Sequence, residues 1–171
     1  MDNLGLLIDQ KLSNDDFQSL INMFDVDNYT QFINPIINLG VQKTDRITRH
    51  LIIHNRPNIM NLLMIINAEF GHVATVKQLI ESGYVNDFEN ALVHAKTFPV
   101  VDLLFRLSSS IDALTQCIIN ACRDGDIITL MHFIKNIPIE KLPLITRELE
   151  QIDNFECSSV DIIKYVKCLN N

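Results

Sequence analysis

The chain has 171 residues, of which 47% are hydrophobic and 20% charged, and its formal net charge is −7. This length favours one globular domain that buries its own core. The negative charge argues against a nucleic-acid-binding protein, which needs Lys and Arg to contact phosphates. No stretch reaches the roughly 20 uncharged apolar residues that a membrane helix needs.

The start of the chain lacks the basic residues of a secretory signal. Its four cysteines all lie in the last third, without a Cys-x-x-Cys pair. Both features predict reduced thiols and a cytoplasmic location.

Charge is unevenly distributed along the first third of the chain. Residues 1–42 contain six Asp and one Lys, whereas residues 43–56 contain four cations and one Asp. A short basic patch on an acidic body is either a docking surface for a partner or a solvated helix face, and we favour the solvated face.

The first 27 residues predict a helical cap for the rest of the chain, although an arm that docks elsewhere stays open as an alternative. Asp15 and Asp16 resemble paired catalytic carboxylates, but the run 13–16 is typical of a helix start, with a capping side chain and acidic groups near the positive end of the helix. The following segment, 16–24, is amphipathic.

A 27-residue repeat runs through the middle of the chain. The segment 67–73 recurs at 94–100 and at 121–127, and its second position is always small: Ala68, Ala95 and Cys122. Apolar residues upstream keep the same period: Met64, Ala91 and Ile118, and Ile65, Leu92 and Ile119. Apolar residues downstream do so too: Val76, Leu103 and Leu130, and Ile80, Leu107 and Ile134. Less regular copies are predicted at 45–53 and 157–163.

Each repeat unit predicts two helices joined by a turn at Gly71, Pro99 or Gly125. Gly accepts the left-handed conformation that follows a helix, and Pro is tolerated at a first helical position. A helix pair this short cannot bury its apolar face alone, so we expect the pairs to stack on one another.

Residues 60–83 resemble an ankyrin repeat. Residues 60–72 stand in place of the family's Thr-Pro-Leu-His-x-Ala-Ala-x-x-Gly-His, and residues 76–83 in place of its Val-x-x-Leu-Leu-x-x-Gly. The Thr-Pro-Leu-His turn is absent from every copy, and the period is shorter than the family's 33 residues. The shortening lies between Gly83 and Phe88, where ankyrin repeats have a β-hairpin.

The resemblance implies an all-α ankyrin-like solenoid with short loops, little or no strand, and about five to six helix pairs. It implies one domain over 1–171, with residues 1–27 as the cap and 28–169 as repeats. Short, Asn- and Ile-rich repeats are also similar to the ankyrin-like multigene families of large DNA viruses. That similarity implies a viral, cytoplasmic protein-binding module, often one that interferes with host defence.

In ankyrin-like stacks the inner helices line a concave face. Residue types vary at three positions of the repeat: Leu62, Glu89 and Gln116; Glu69, Lys96 and Arg123; Phe70, Thr97 and Asp124. Variation within a regular frame is typical of a binding face, and equally of any exposed face. The predicted partner-binding residues are Glu69, Phe70, Glu89, Lys96, Gln116 and Arg123, with Phe70 as an aromatic anchor.

No motif predicts catalysis, a metal site or a cofactor. His50 and His54 have zinc-compatible spacing, but residue 51 is Leu instead of a catalytic Glu, and nearby arginines would repel a cation. Cys117 and Cys122 lack an orienting partner for nucleophilic chemistry, which favours core packing.

We therefore expect a non-enzymatic module that covers the functional site of a host protein. The first alternative is an assembly scaffold that associates with itself as a homodimer. The second is an acidic decoy that occupies a nucleic-acid-binding site through the N-terminal carboxylates.

Overall fold

The computed structural model describes residues 3–147, except 109, 125, 139, 142 and 146, and describes only the backbone of 122, 127 and 134. All regular structure in this part of the chain is helical, as predicted. The predicted repeat copy at 157–163 lies outside the described residues. The α-helices are α1 (Asn3–Ser13), α2 (Phe17–Phe24), α3 (Ile33–Ile37), α4 (Val41–Leu51), α5 (Pro57–Glu69), α6 (Val73–Ser82), α7 (Phe88–His94), α8 (Phe98–Phe105), α9 (Ile111–Asp124) and α10 (Ile127–Asn136).

Within the described residues, consecutive helices pack as five pairs, α1 with α2 through α9 with α10. The first members form a row in which α1 contacts α3, α3 contacts α5, α5 contacts α7, and α7 contacts α9. In the second layer α2 contacts α4, and α6, α8 and α10 lie side by side. Short 3-10 turns at Tyr29–Phe32 and Ile52–His54 complete the first two connections.

The 27-residue period of the first-row helices is confirmed. We predict a core from positions 64, 65 and 68 and their equivalents, and at the first two positions the side chains are at most 8% exposed: Met64, Ile65, Ala91, Leu92, Ile118 and Ile119. At the third position Ala68 is buried, Ala95 is only half-buried, and the side chain of Cys122 lies outside the described part of the chain. α5 lies at the centre of the array, where every residue from 59 to 68 is buried. The burial of these apolar side chains between neighbouring helix pairs stabilises their stacking.

The predicted register of the second-layer helices is wrong for α8. Leu103 is half-buried and Leu107 is 44% exposed, whereas Val101 and Leu104 fill the core. The reason is Pro99, which lies in the first turn of α8 and makes that helix begin at Phe98. The turn before α8 therefore ends two residues earlier than a strict 27-residue repeat requires.

Two buried asparagines on α5 join this helix to its neighbours. Asn67 Nδ2 donates to Thr48 Oγ1 of α4 at 2.9 Å, and its Oδ1 lies 3.0 Å from His72 Nδ1. Asn61 Oδ1 accepts from the backbone N–H groups of Asn86 and Asp87, at 3.0 and 3.1 Å, ahead of α7. A buried amide without such partners costs about 1–3 kcal/mol, so these bonds favour one arrangement of the pairs.

The basic patch predicted at 43–56 forms ion pairs with the acidic N-terminal segment. Lys43 of α4 contacts Asp9 of α1 at 2.5 Å, Arg46 contacts Asp15, and Arg56 contacts Asp25. The uneven charge of the sequence is thus complementary within the molecule. Each of these partly exposed pairs contributes only about 0–1 kcal/mol.

Gly71 and Gly83 both have a positive φ, at +72° and +73°, in the connections before and after α6. A Cβ on Gly71 would lie 2.5 Å from Thr97 Cγ2, whereas a Cβ on Gly83 would meet nothing within 4 Å. A side chain at Gly83 would therefore introduce backbone strain alone, whereas a side chain at Gly71 would add a steric overlap to the same strain.

We expect Gly83→Ala to lower the free energy of unfolding by about 1–2 kcal/mol, the cost of a left-handed alanine. Gly71→Ala should lower it by about 1–3 kcal/mol more, because the methyl group also overlaps Thr97. Urea unfolding measures both. Adding Thr97→Ala to the Gly71 variant should recover much of the excess, and equal losses for the two glycines would contradict this account.

The helix start predicted at residues 13–16 is confirmed, and its capping residue is Asp16, ahead of α2. Its side chain accepts a hydrogen bond from the Ser19 N–H at 3.2 Å and one from Lys11 at 2.9 Å. The bonds to Ser19 and then Lys11 lower the pKa of Asp16 to about 2. Because the folded-state pKa lies below the unfolded one, the stabilisation is present above pH 4 and disappears as the pH falls through 2.

Asp16→Asn should therefore reduce stability at neutral pH, since Asn still caps a helix but carries no charge for Lys11. The difference from wild type should shrink steadily between pH 4 and pH 2. Urea midpoints measured across this pH range provide the check. A difference that stays constant down to pH 2 would show that the ionised carboxylate does not matter.

Candidate protein-interaction surface

Three charged side chains form a chain across successive helix pairs. Glu69 closes α5, and its carboxylate lies 3.9 Å from Lys96 Nζ and 3.4 Å from His94 Nδ1. Lys96, in the turn after α7, also lies 3.9 Å from Asp124 at the end of α9. The structure thus brings Glu69 and Lys96 together, and Lys96 is held between two carboxylates.

The first of the three variable positions predicted for the binding face is not accessible on α5. Leu62 is fully buried, so it cannot contact a partner. Its repeat equivalents differ: Glu89 on α7 is exposed, and Gln116 on α9 is half-buried and donates to Asn120 at 3.0 Å. Because every residue of α5 from 59 to 68 is buried, this variable position is accessible only on α7 and α9.

Phe70 and Arg123 lie at opposite ends of this surface. Phe70 is half-buried after α5, with its ring centroid 5.9 Å from that of His72. Arg123 is exposed in the last turn of α9, next to Asp124. The predicted aromatic anchor is thus partly covered, whereas the guanidinium group of Arg123 is accessible.

A small cavity opens between α7, α9 and α10, beside the Lys96–Asp124 pair. Its volume is about 50 Å³, and Cys117, Asn120, Thr129 and Phe133 contribute to its walls. A water molecule needs roughly 10–15 Å³ of such space, so the cavity has room for a few water molecules. Drug-sized ligands and cofactors occupy far larger clefts.

Cys117 and His50, two of the side chains considered for chemistry, have structural contacts, whereas the side chain of Cys122 lies outside the described part of the chain. Cys117 is 5% exposed, its Sγ donates to the Leu92 carbonyl at 3.2 Å, and burial raises the pKa of its thiol to about 12. His50 stacks on Phe17 at 3.8 Å, and its Nδ1 lies 2.8 Å from the Arg46 carbonyl. Within the described ranges, no three His, Cys, Asp or Glu side chains are grouped to hold a metal ion.

Sequence reasoning missed the buried polar links between helix pairs. Asn61 and Asn67 stand in a helix whose other buried positions are all apolar, and this contrast was the available signal. Between α8 and α10, the Asp102 Oδ1 and His132 Nε2 atoms lie 3.2 Å apart without a hydrogen bond, and the Asp102 carboxylate accepts from Arg106 on its own helix. The role of such polar residues depends on which helices become neighbours, and the local sequence pattern does not predict that.

Comparisons of the chain with protein-family models, curated proteins and solved structures found no match. In the described part of the chain, no helix combines the length and apolar character needed to cross a membrane.

The environment of Cys117 predicts a thiol that is inert in the folded protein. A pKa of about 12 instead of 9 leaves roughly a thousandfold less thiolate at pH 8. Iodoacetamide labelling followed by peptide mass spectrometry should find Cys117 unmodified in buffer and modified in urea. Rapid labelling of Cys117 in the native protein would contradict this prediction and would support a nucleophilic role for the thiol.

Proposed function

We propose that this protein is a non-catalytic protein-binding module built from ankyrin-like helix pairs. The observation that carries the proposal is the regular frame of α7 and α9, which presents different residues at equivalent positions. Glu89 and Gln116 occupy one such position, and Lys96 and Arg123 the other. Side chains that vary on a fixed scaffold suit recognition of a partner, because the scaffold stays unchanged while its surface is adapted.

The ion pairs around Lys96 support a preorganised surface. Lys96 is 45% exposed, yet carboxylates on both sides restrict its ammonium group. A side chain restrained before binding loses less entropy when a partner arrives. The alternating charges favour a partner surface of mixed charge, which would be held over α7 and α9 so that its own functional site is covered.

The similarity to ankyrin-like families of large DNA viruses motivates the more specific part of this proposal. A viral module of this kind acts on a host defence or signalling protein in the cytoplasm. The acidic-decoy alternative is less favoured, because Asp9, Asp15 and Asp25 are already engaged by cations of the same chain. A decoy needs those carboxylates for its target.

Site-specific photo-crosslinking tests the proposed surface. A photoreactive residue placed at Gln116 should give a discrete adduct in a eukaryotic cell lysate. The same residue at Gln78, exposed on α6 of the other layer, serves as a matched control. Lys96→Glu should reduce the Gln116 adduct at least about tenfold, because it places three carboxylates together at the surface.

Three results would argue against this assignment. Equal adducts from Gln116 and Gln78 would show non-specific capture. An adduct from Gln78 alone would place the surface on the outer layer. An adduct at Gln116 that Lys96→Glu leaves unchanged would remove the ion-pair chain from the interface.

A further inference from the structure

Tyr29 makes a contact that does not follow the order of the helix pairs. It lies in the 3-10 turn ahead of α3, and therefore before the second pair. Its hydroxyl group donates a hydrogen bond to the carboxylate of Asp87, which is 58 residues away in the sequence and precedes α7 of the fourth pair. In stacked arrays each unit contacts only its neighbours as a rule. Tyr29 thus connects parts of the array that are not consecutive.

The ring of Tyr29 is fixed in the interior of the protein. The residue is only 8% exposed and belongs to the apolar core. Burial, and next the hydrogen bond to Asp87, raise the pKa of its hydroxyl group, so the proton that the bond needs stays in place at neutral pH. A buried hydroxyl without an acceptor is costly, so this bond holds Asp87 in one position relative to the core.

Asp87 uses both of its carboxylate oxygens at the start of α7. Oδ1 accepts a hydrogen bond from the N–H of Asn90 at 3.4 Å, and this bond caps the helix. Oδ2 accepts from the Asn90 side chain at 2.7 Å and from the Tyr29 hydroxyl. Because one carboxylate serves both the cap and Tyr29, the hydroxyl group restrains the side chain that begins the helix.

Helix α7 has little apolar burial to hold it in place. It contains seven residues, of which Ala91 and Leu92 are fully buried, whereas every residue of α5 from 59 to 68 is buried. A helix of this length is marginal by itself in water, so its stability comes from contacts with its surroundings. The hydrogen bonds at its start therefore matter more for α7 than for its longer neighbours α5 and α9.

We propose that Tyr29 is a positioning residue for the partner surface and acts through Asp87. The inference rests on the proposed function, because α7 carries Glu89 in its first turn and leads into Lys96. Holding the start of α7 determines where the Glu89 side chain lies relative to α9. The N-terminal part of the chain contributes none of the proposed partner-binding residues, and this contact couples it to them.

Amide hydrogen exchange of the full-length chain tests this inference without a partner. Tyr29→Phe removes only the hydroxyl group, and amides within 91–95 should exchange at least about tenfold faster, as expected when a hydrogen bond to a charged group is lost. Exchange within 62–68 and 115–121 should change less, since local opening is confined to one helix. Tyr84→Phe removes the same atom from a residue that is 45% exposed, and this matched control should leave all three segments unchanged.

Replacement of the capping residue tests whether Tyr29 acts through Asp87. Serine also caps helices, but its side chain is too short to reach Tyr29, so Asp87→Ser keeps a cap and removes the acceptor. In this background Tyr29→Phe should change the exchange of 91–95 by less than about twofold. Circular dichroism establishes that each variant is folded.

Two results of hydrogen exchange overturn the proposal. Equal acceleration of all three segments in the Tyr29→Phe variant would show that the hydroxyl group only adds to overall stability. An undiminished effect of Tyr29→Phe in the Asp87→Ser background would show that it does not act through the carboxylate.

Photo-crosslinking at Gln116 relates this restraint to partner binding. Where the wild-type chain forms its adduct, Tyr29→Phe should lower the yield by about two- to thirtyfold, the range expected for a coupling residue outside the interface. An unchanged yield from the folded variant would overturn the coupling to the partner surface. Absence of any wild-type adduct would remove the proposed function, and hydrogen exchange would then decide alone whether Tyr29 positions α7.

Discussion

The hydrogen bonds of Asn67 and Asn61 determine how the helix pairs fit around α5. Hydrophobic burial brings these helices together without direction, since any apolar face satisfies another. The two amides add direction, because each finds its partners in only one arrangement: Asn67 with Thr48 and His72, Asn61 with the backbone before α7. A shift of one helix along its neighbour would leave buried polar atoms without partners.

The Asn61 contacts extend this constraint across three helix pairs. Asp87, whose N–H donates to Asn61, caps α7 and also accepts a hydrogen bond from the Tyr29 hydroxyl. Burial and the neighbouring carboxylate raise the pKa of Tyr29, so its proton stays available for that bond. One polar cluster therefore joins Tyr29, in the 3-10 turn before α3, to Asn61 of α5 and to Asp87 at the start of α7. The position of α7, and with it Glu89 and Lys96, depends on this cluster.

The sequence was sufficient to predict features that follow from local periodicity. The 27-residue spacing predicted the buried positions of α5, α7 and α9, and the acidic run before Phe17 predicted a cap. The predicted buried positions of α8 were wrong because this helix begins at Phe98, with Pro99 in its first turn. A strict 27-residue repeat would start the helix two residues later. Leu62 was assigned to an accessible position because its equivalents are Glu89 and Gln116. Its burial depends on contacts of α5 with the N-terminal helices, which no local pattern contains.

The burial of residues 59–68 of α5 changes how a repetitive sequence produces a binding surface. A perfectly regular array would expose equivalent positions on every first-row helix. Here the contacts of α5 with α2, α3, α4 and the turn before α3 leave no residue from 59 to 68 accessible. The exposed equivalents begin only at α7, where fewer elements surround the row. The proposed surface is therefore defined by where packing ends, and Glu69 contributes to it indirectly, by restraining Lys96.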